Sequence, residues 1–223
     1  SVYSASKIAQ EEYPDLDVTI RGAISIAERL RNPMAALVKI DPKALGIGQY
    51  QHDVDQKLLE RKLAETTEDL VNRVGVDINS ASASLVSYIA GIGPKLAKSI
   101  VLYRKEHGSF GRKLDLKKVS GLGTKAFEQC AGFVRIPHGA SVLDNTGIHP
   151  ESYRAATTLS RRFEPSALDL ALAEPLAKEL DIGIDTIRDI IQELKKPGFD
   201  PREELPQIPF RQDLTDISML NPE

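Results

Sequence analysis

Ile89-Ala90-Gly91-Ile92-Gly93-Pro94-Lys95 and Val119-Ser120-Gly121-Leu122-Gly123-Thr124-Lys125 are the same string written twice, thirty residues apart. Each copy reads apolar, small, Gly, apolar, Gly, variable, Lys. A helix ends near residues 88–90, and the first glycine supplies the backbone freedom that reverses the chain. The apolar residue between the glycines, Ile92 or Leu122, plugs the turn into the core. The second glycine stands just ahead of a new helix, where Pro94 suits a first-turn position that needs no amide donor. Free amides at such a start carry the positive end of the helix dipole, which makes them a seat for phosphate. Lys95 and Lys125 add charge at the same spot.

Charge follows the repeat. Between residues 85 and 136 ten basic residues face only Glu106, Asp115 and Glu128, a balance of +7. The rest of the chain carries 19 basic and 29 acidic side chains, so a basic module sits inside an acidic protein. The duplicated string resembles a tandem helix-hairpin-helix domain. In that family paired hairpins hold the sugar-phosphate backbone, which gives affinity and position with little sequence reading. The expected contact residues are Gly91, Ile92, Gly93, Lys95 and Lys98 in the first copy, and Gly121, Leu122, Gly123, Thr124 and Lys125 in the second. Glu128 stands where the first copy has Lys98, so the first hairpin is expected to bind phosphate better. The alternative is that both hairpins only hold a helical bundle together or dock a protein. Phe127 and Phe133 fall at helical spacing and are read as core.

Composition narrows the function classes. The chain has 223 residues, 41% hydrophobic and 27% charged, with a net charge of −3. A single cysteine excludes a disulfide framework and argues against a Cys-based zinc site. No apolar run reaches the roughly 20 residues of a membrane span. His52, His107, His138 and His149 show no metal-ligand spacing. Cys130 aligns with Ile100 in the repeat and reads as a small buried hydrophobe. There is no nucleotide-binding phosphate loop, no Gly-Xaa-Ser-Xaa-Gly elbow and no zinc-hydrolase His-Glu pair. Neither catalytic residues, a metal nor a cofactor is expected, so the chain reads as a non-enzyme.

Outside the repeat, residues 3–13 read as a helix ended by Pro14. Residues 18–30 read as an amphipathic helix with Ile20, Ala23, Ile24, Ala27 and Leu30 on its apolar face. Lys39 to Lys43 and Gly46-Ile47-Gly48 read as turns, and residues 53–74 as one long amphipathic helix. Asp77 or Asn79 is expected to cap the helix that follows. Residues 137–150 read as a loop, and helices are expected over 151–163, 166–180 and 185–195. Five prolines beyond residue 196 mark an extended linker.

Longer strings carry a second resemblance. Ile40-Asp41-Pro42-Lys43, Gly46-Ile47-Gly48-Gln49-Tyr50-Gln51-His52-Asp53-Val54 and Asn72-Arg73-Val74-Gly75-Val76-Asp77 are similar to the bacterial Tex family of transcription accessory proteins. Lys125 through Phe133, and Asn145-Thr146 with His149-Pro150-Glu151-Ser152-Tyr153, extend the match over essentially the whole chain. The resemblance implies a mainly helical fragment. Its parts are the end of a YqgF domain of RNase H-like fold (1–52), a connecting helix (53–77), tandem helix-hairpin-helix (78–136), a loop (137–150) and a helical region (151–196). A Pro-rich linker (197–223) would lead to an absent OB-fold domain. Related nucleases place a metal-binding carboxylate on the helix that residues 18–30 resemble. Here Thr19-Ile20-Arg21-Gly22-Ala23-Ile24 offers no acid and one cation, which argues against metal-dependent cleavage. The implied role is a cytoplasmic, monomeric, nucleic-acid-binding transcription accessory factor, with transcription machinery as a further partner. The alternative is an interaction scaffold of a transcription complex.

Overall fold

A computed structural model describes residues 2–46 and 48–195, and over that span the protein is built almost wholly from short helices. The Pro-rich linker expected beyond residue 196 and the middle of the Gly46-Ile47-Gly48 turn lie outside the described residues.

Three helices open the chain: α1 (Lys7–Glu12), α2 (Val18–Arg31) and α3 (Pro33–Leu37). Side chains cap each start, with Ser6, Asp17 and Asn32 accepting from first-turn amides. The face of α2 turned inward is not the apolar one expected from its spacing. Arg21 and Ser25 are buried, while Ile20 and Leu30 are 45% and 59% exposed. Hydrogen bonding decides this orientation. Arg21 Nε donates to the Tyr13 carbonyl at 3.0 Å and Nη2 to that of Pro14 at 3.2 Å, so the preceding turn is held by the guanidinium. The cation noted in the sequence is thus occupied with backbone carbonyls. Lys39 fastens the same region, its ammonium 3.0 Å from Glu12 and 3.1 Å from Glu28.

After a 3-10 turn at Pro42–Leu45, helix α4 (Gln56–Val74) runs largely exposed, with Val71 as its buried residue. Gly75 ends it and turns the chain into the two-residue strand β1 (Val76–Asp77). Helix α5 (Ala83–Val86) is capped by Ser82, not by Asp77 or Asn79. Those two residues have other tasks: Asp77 accepts from Asn79 N and Ser80 Oγ, and Asn79 spans the backbone of Phe110. Helices α6 (Pro94–His107) and α7 (Thr124–Cys130) are joined by a 3-10 turn at Lys113–Lys118. The chain then forms β2 (Val134–Arg135), which pairs in parallel with β1, Val76 opposite Val134. Entry to and exit from the repeat unit are therefore tied together. Inside lies one core, including Ile78, Leu85, Ile89, Ile100, Leu116, Phe127 and Val134, all at most 3% exposed.

A second core follows, around Leu159, Leu168, Ile187, Ile190 and Ile191. It gathers α8 (Tyr153–Arg162), α9 (Ala173–Leu180) and α10 (Ile184–Lys195). The expected helices over 151–163 and 185–195 are present. Only the second half of 166–180 is α-helical; Pro165–Ala167 and Leu170–Leu172 are 3-10 turns. The stretch 137–150 is not plain loop, since Val142–Asn145 is also a 3-10 turn.

Gly75 sits at φ 81° with an added Cβ only 2.6 Å from the Arg135 guanidinium carbon. Gly75→Ala is expected to lower unfolding stability by roughly 1–3 kcal/mol, from positive-φ strain plus displacement of Arg135. Urea denaturation of the two chains measures it.

Candidate nucleic-acid interface

The two copies of the repeat fold alike down to individual burial. In each, the first glycine is exposed, the apolar plug buried, the next three residues exposed and the sixth half-buried. Gly91 and Gly121 adopt φ 80° and 87°, a conformation that disfavours any side chain. Ile92 and Leu122 are 3% and 6% exposed, and their amides donate to the Ile89 and Val119 carbonyls. The hairpins meet reciprocally. A Cβ on Gly91 would lie 3.3 Å from the Ala126 carbonyl, and one on Gly121 would lie 3.8 Å from a Leu96 methyl. Ala126 and Leu96 are equivalent positions in the repeat, so the copies swap contacts as an approximate twofold pair.

Gly93 and Gly123 are the N-caps of α6 and α7, and neither start receives a side-chain cap. Helices α1 to α5 all have one, from Ser6, Asp17, Asn32, Asp55 and Ser82. Helices α8 and α9 also start without a side-chain cap, so the absence is not peculiar to the paired hairpins, but it leaves their first-turn amides open to an outside acceptor. Lys95, Thr124 and Lys125 stand exposed beside them. Lys98, also exposed, lies 3.7 Å from the Glu11 carboxylate, so its charge is shared with α1.

The basic field is smaller than the residue count implies. Lys113 is fully buried, its ammonium donating to the carbonyls of Thr146 at 2.8 Å and Ile148 at 3.1 Å. Burial, aided by the Arg135 charge, pushes its pKa down to about 7. Arg135 is buried as well and donates to Gly132 and Val134, while Arg104 donates to the Ile78 carbonyl. Lys117 lies over the buried Phe127 ring at 4.5 Å, and Lys118 pairs with Asp115 at 2.8 Å.

The carbonyls that Lys113 holds belong to a third hairpin. Gly147-Ile148-His149-Pro150 leads into the Pro150–Ser152 turn and α8 in the sequence order in which Gly91-Ile92-Gly93-Pro94 leads into α6, with Ile148 buried as the plug. Gly147 lacks the positive φ of Gly91, however, and the Ile148 amide donates to the Thr146 hydroxyl. A fourth, Asp181-Ile182-Gly183-Ile184, links α9 to α10. Asp181 takes φ 53° and is the one non-glycine residue at positive φ among the described residues. At the positions of Lys95 and Lys125 these hairpins carry Glu151 and Asp185, both exposed. The sequence reading missed both, because Asp181 and His149 replace the glycines and the spacing departs from thirty. The shared apolar plug and Pro150 were the available signal.

Cys130 is buried among core residues, and burial pushes its thiol pKa up to about 11. His52 and His138 are exposed, and His149 Nδ1 accepts from the Glu151 amide. Among the described residues no three His, Cys, Asp or Glu side chains gather as a metal site, and no helix is long and apolar enough to cross a membrane.

Comparison with known proteins agrees with this architecture. A helix-hairpin-helix motif model matches residues 71–135, a second helix-hairpin-helix domain model residues 141–202, and a Tex protein YqgF-like domain model residues 1–31. The chain is 47% identical to Protein YhgF of Escherichia coli and to Protein tex of Bordetella pertussis, with all of it aligned in both cases. It is 46% identical to Transcriptional accessory protein Tex of Neisseria gonorrhoeae over 99% of its residues. The chain belongs to the Tex family. It spans about 30% of the length of these relatives. The two helix-hairpin-helix matches fall on consecutive units, the first with lysines at its turns and the second with carboxylates.

Lys113 gives a pH signature. Its folded pKa, about 7, lies below the ordinary 10.5, so between these values the unfolded chain binds more protons. Stability relative to a Lys113→Met variant should therefore rise above pH 7, by roughly 1 kcal/mol per pH unit, and level off near the unfolded pKa. Urea midpoints of both chains at pH 6, 7.5 and 9 check the difference.

Proposed function

We propose that this chain is the part of a non-enzymatic transcription accessory factor that holds nucleic-acid backbone with little sequence preference. The observation that carries the reading is the reciprocal pair of hairpins, whose helix starts lack side-chain caps and stand beside Lys95 and Lys125. In this reading the open amides around Gly93 and Gly123, with Lys95, Lys98, Thr124 and Lys125, donate to phosphate oxygens. Ile92 and Leu122 set the height of each turn, and Gly91 and Gly121 let the two turns approach. None of these groups addresses a base edge, so affinity comes without sequence selection. The relatives' names, Protein tex and Transcriptional accessory protein Tex, support a role in transcription.

Contact with about four phosphates predicts a log–log salt slope near −3 to −4 for duplex binding. The double variant Lys95→Glu/Lys125→Glu is expected to lose about tenfold or more in affinity at low salt and to flatten that slope, with helical content intact by circular dichroism. Salt-independent binding, or a variant that binds as the parent does, would leave the hairpins with a structural task only.

A specific observation supports a second role alongside the first. Glu151 and Asp185 would repel phosphate at the turns of the second unit, which fits docking to a protein of the transcription apparatus. Converting both to lysine rebuilds the charge pattern of the first unit. Glu151→Lys/Asp185→Lys is expected to tighten nucleic-acid binding and steepen the salt slope by up to about two. A titration at three salt concentrations reads this directly, and weaker binding would instead place the parent carboxylates in a favourable contact.

A further inference from the structure

Three aromatic rings form a ladder at the far end of α6 from the first hairpin. Phe110, Tyr103 and His107 lie in that order, with ring centroids 5.4 Å and then 4.2 Å apart and planes within 16° and 10° of parallel. The ladder runs from core to solvent. Phe110 is 3% exposed, Tyr103 is half-buried and His107 is exposed. Its inner end is fixed, because Asn79 accepts from the Phe110 amide at 2.8 Å and donates to its carbonyl at 3.0 Å. The outer end is oriented too. His107 Nδ1 lies 3.1 Å from the Tyr103 carbonyl, an acceptor, so that nitrogen carries the proton and Nε2 faces away.

An ordinary helix end needs no such arrangement. The last turn of α6 already carries Arg104 and Lys105, and Gly108 closes it by donating to the Arg104 carbonyl. A parallel stack ending on an exposed ring offers a flat π surface to a further ring. Exposed cations flank it in the chain at Lys105 and Arg112, and Lys118 lies near Tyr103. Opposing acids are Glu106 and Asp115, the latter paired with Lys118. Lys118 directly precedes Val119, where the second hairpin begins. Along α6 the ladder stands about 20 Å from the first hairpin, a rise of about 1.5 Å for each of its residues.

We infer that the Phe110–Tyr103–His107 ladder is a second nucleic-acid contact, a platform on which one unpaired base stacks against His107 at the end of α6 away from the hairpin turns. The inference rests on the backbone-binding reading and extends it from duplex to a junction between duplex and single strand. Duplex would be held at the hairpin turns, and the first base released from pairing would continue the ladder as its fourth ring. Stacking of this kind tolerates any base, in keeping with phosphate contacts that read no sequence.

The test uses the 223-residue chain with three probes: a blunt duplex, the same duplex with a single-stranded extension on either end, and the free single strand. A 2-aminopurine at the first unpaired position reports stacking by loss of fluorescence. The expected result is about tenfold tighter binding of an extended duplex than of the blunt one, with the reporter quenched. His107→Ala should abolish the gain and the quenching while leaving blunt-duplex affinity unchanged, and His107→Phe should restore both. The exposed position of His107 keeps these variants folded. Equal binding of blunt and extended probes without quenching overturns the platform and leaves the hairpin reading intact. Quenching on the single strand by a chain that ignores blunt duplex overturns the hairpin reading and keeps the platform. A His107→Ala chain that still quenches the reporter also overturns the platform.

Discussion

Two turns can present their helix starts on a common face only if the backbones behind them approach closely, and the side chain is what would prevent it. At Gly91 an added carbon would meet the Gln129 side chain at 2.8 Å and the Ala126 carbonyl just beyond. At Gly121 the counterpart is Leu96, one repeat earlier. Each turn is thus the packing surface for the other copy, and the buried plugs, Ile92 and Leu122, fix the depth to which both sink. The matched burial of the two copies accompanies this exchange. A single hairpin has no second copy against which to set its height.

The second unit repeats the shape with opposite electrostatics. Ile148 and Ile182 take the plug positions, but Glu151 and Asp185 stand where phosphate would sit next to lysine in the first unit. Lys113 joins the two, leaving the first unit to donate to carbonyls of the third hairpin with its charge withdrawn from water. A residue counted as surface charge is thereby converted into a joint. On the proposed reading, this division turns one unit toward polyanions and the other away from them.

How much of this could be read from sequence depended on whether the deciding interaction was local. The duplicated Gly-apolar-Gly string announced both hairpins, because turn geometry and helix start are written within seven residues. Helices α4, α8 and α10 fall on the stretches expected to be helical, 53–74, 151–163 and 185–195. The buried face of α2 was not legible, since Arg21 reaches carbonyls of the preceding turn and outweighs the apolar stripe. Lys113 and Arg135 were counted as surface because their acceptors lie in backbone that periodicity cannot place. The third and fourth hairpins escaped because Asp181 performs a glycine's task and His149 replaces the second glycine. In the candidate interface itself the glycines, plugs and lysines were legible, whereas the Glu11 carboxylate beside Lys98 came from a helix more than eighty residues away.

The two-residue strands deserve a mechanical reading. Because β1 and β2 run parallel, the chain enters at one end of the pair and leaves at the other. Tension applied along the polypeptide would therefore slide the strands past one another, loading the Val76-to-Phe133 and Ile78-to-Arg135 hydrogen bonds together rather than unzipping them in turn. The hairpins lie inside this clasp and carry no tension while it holds.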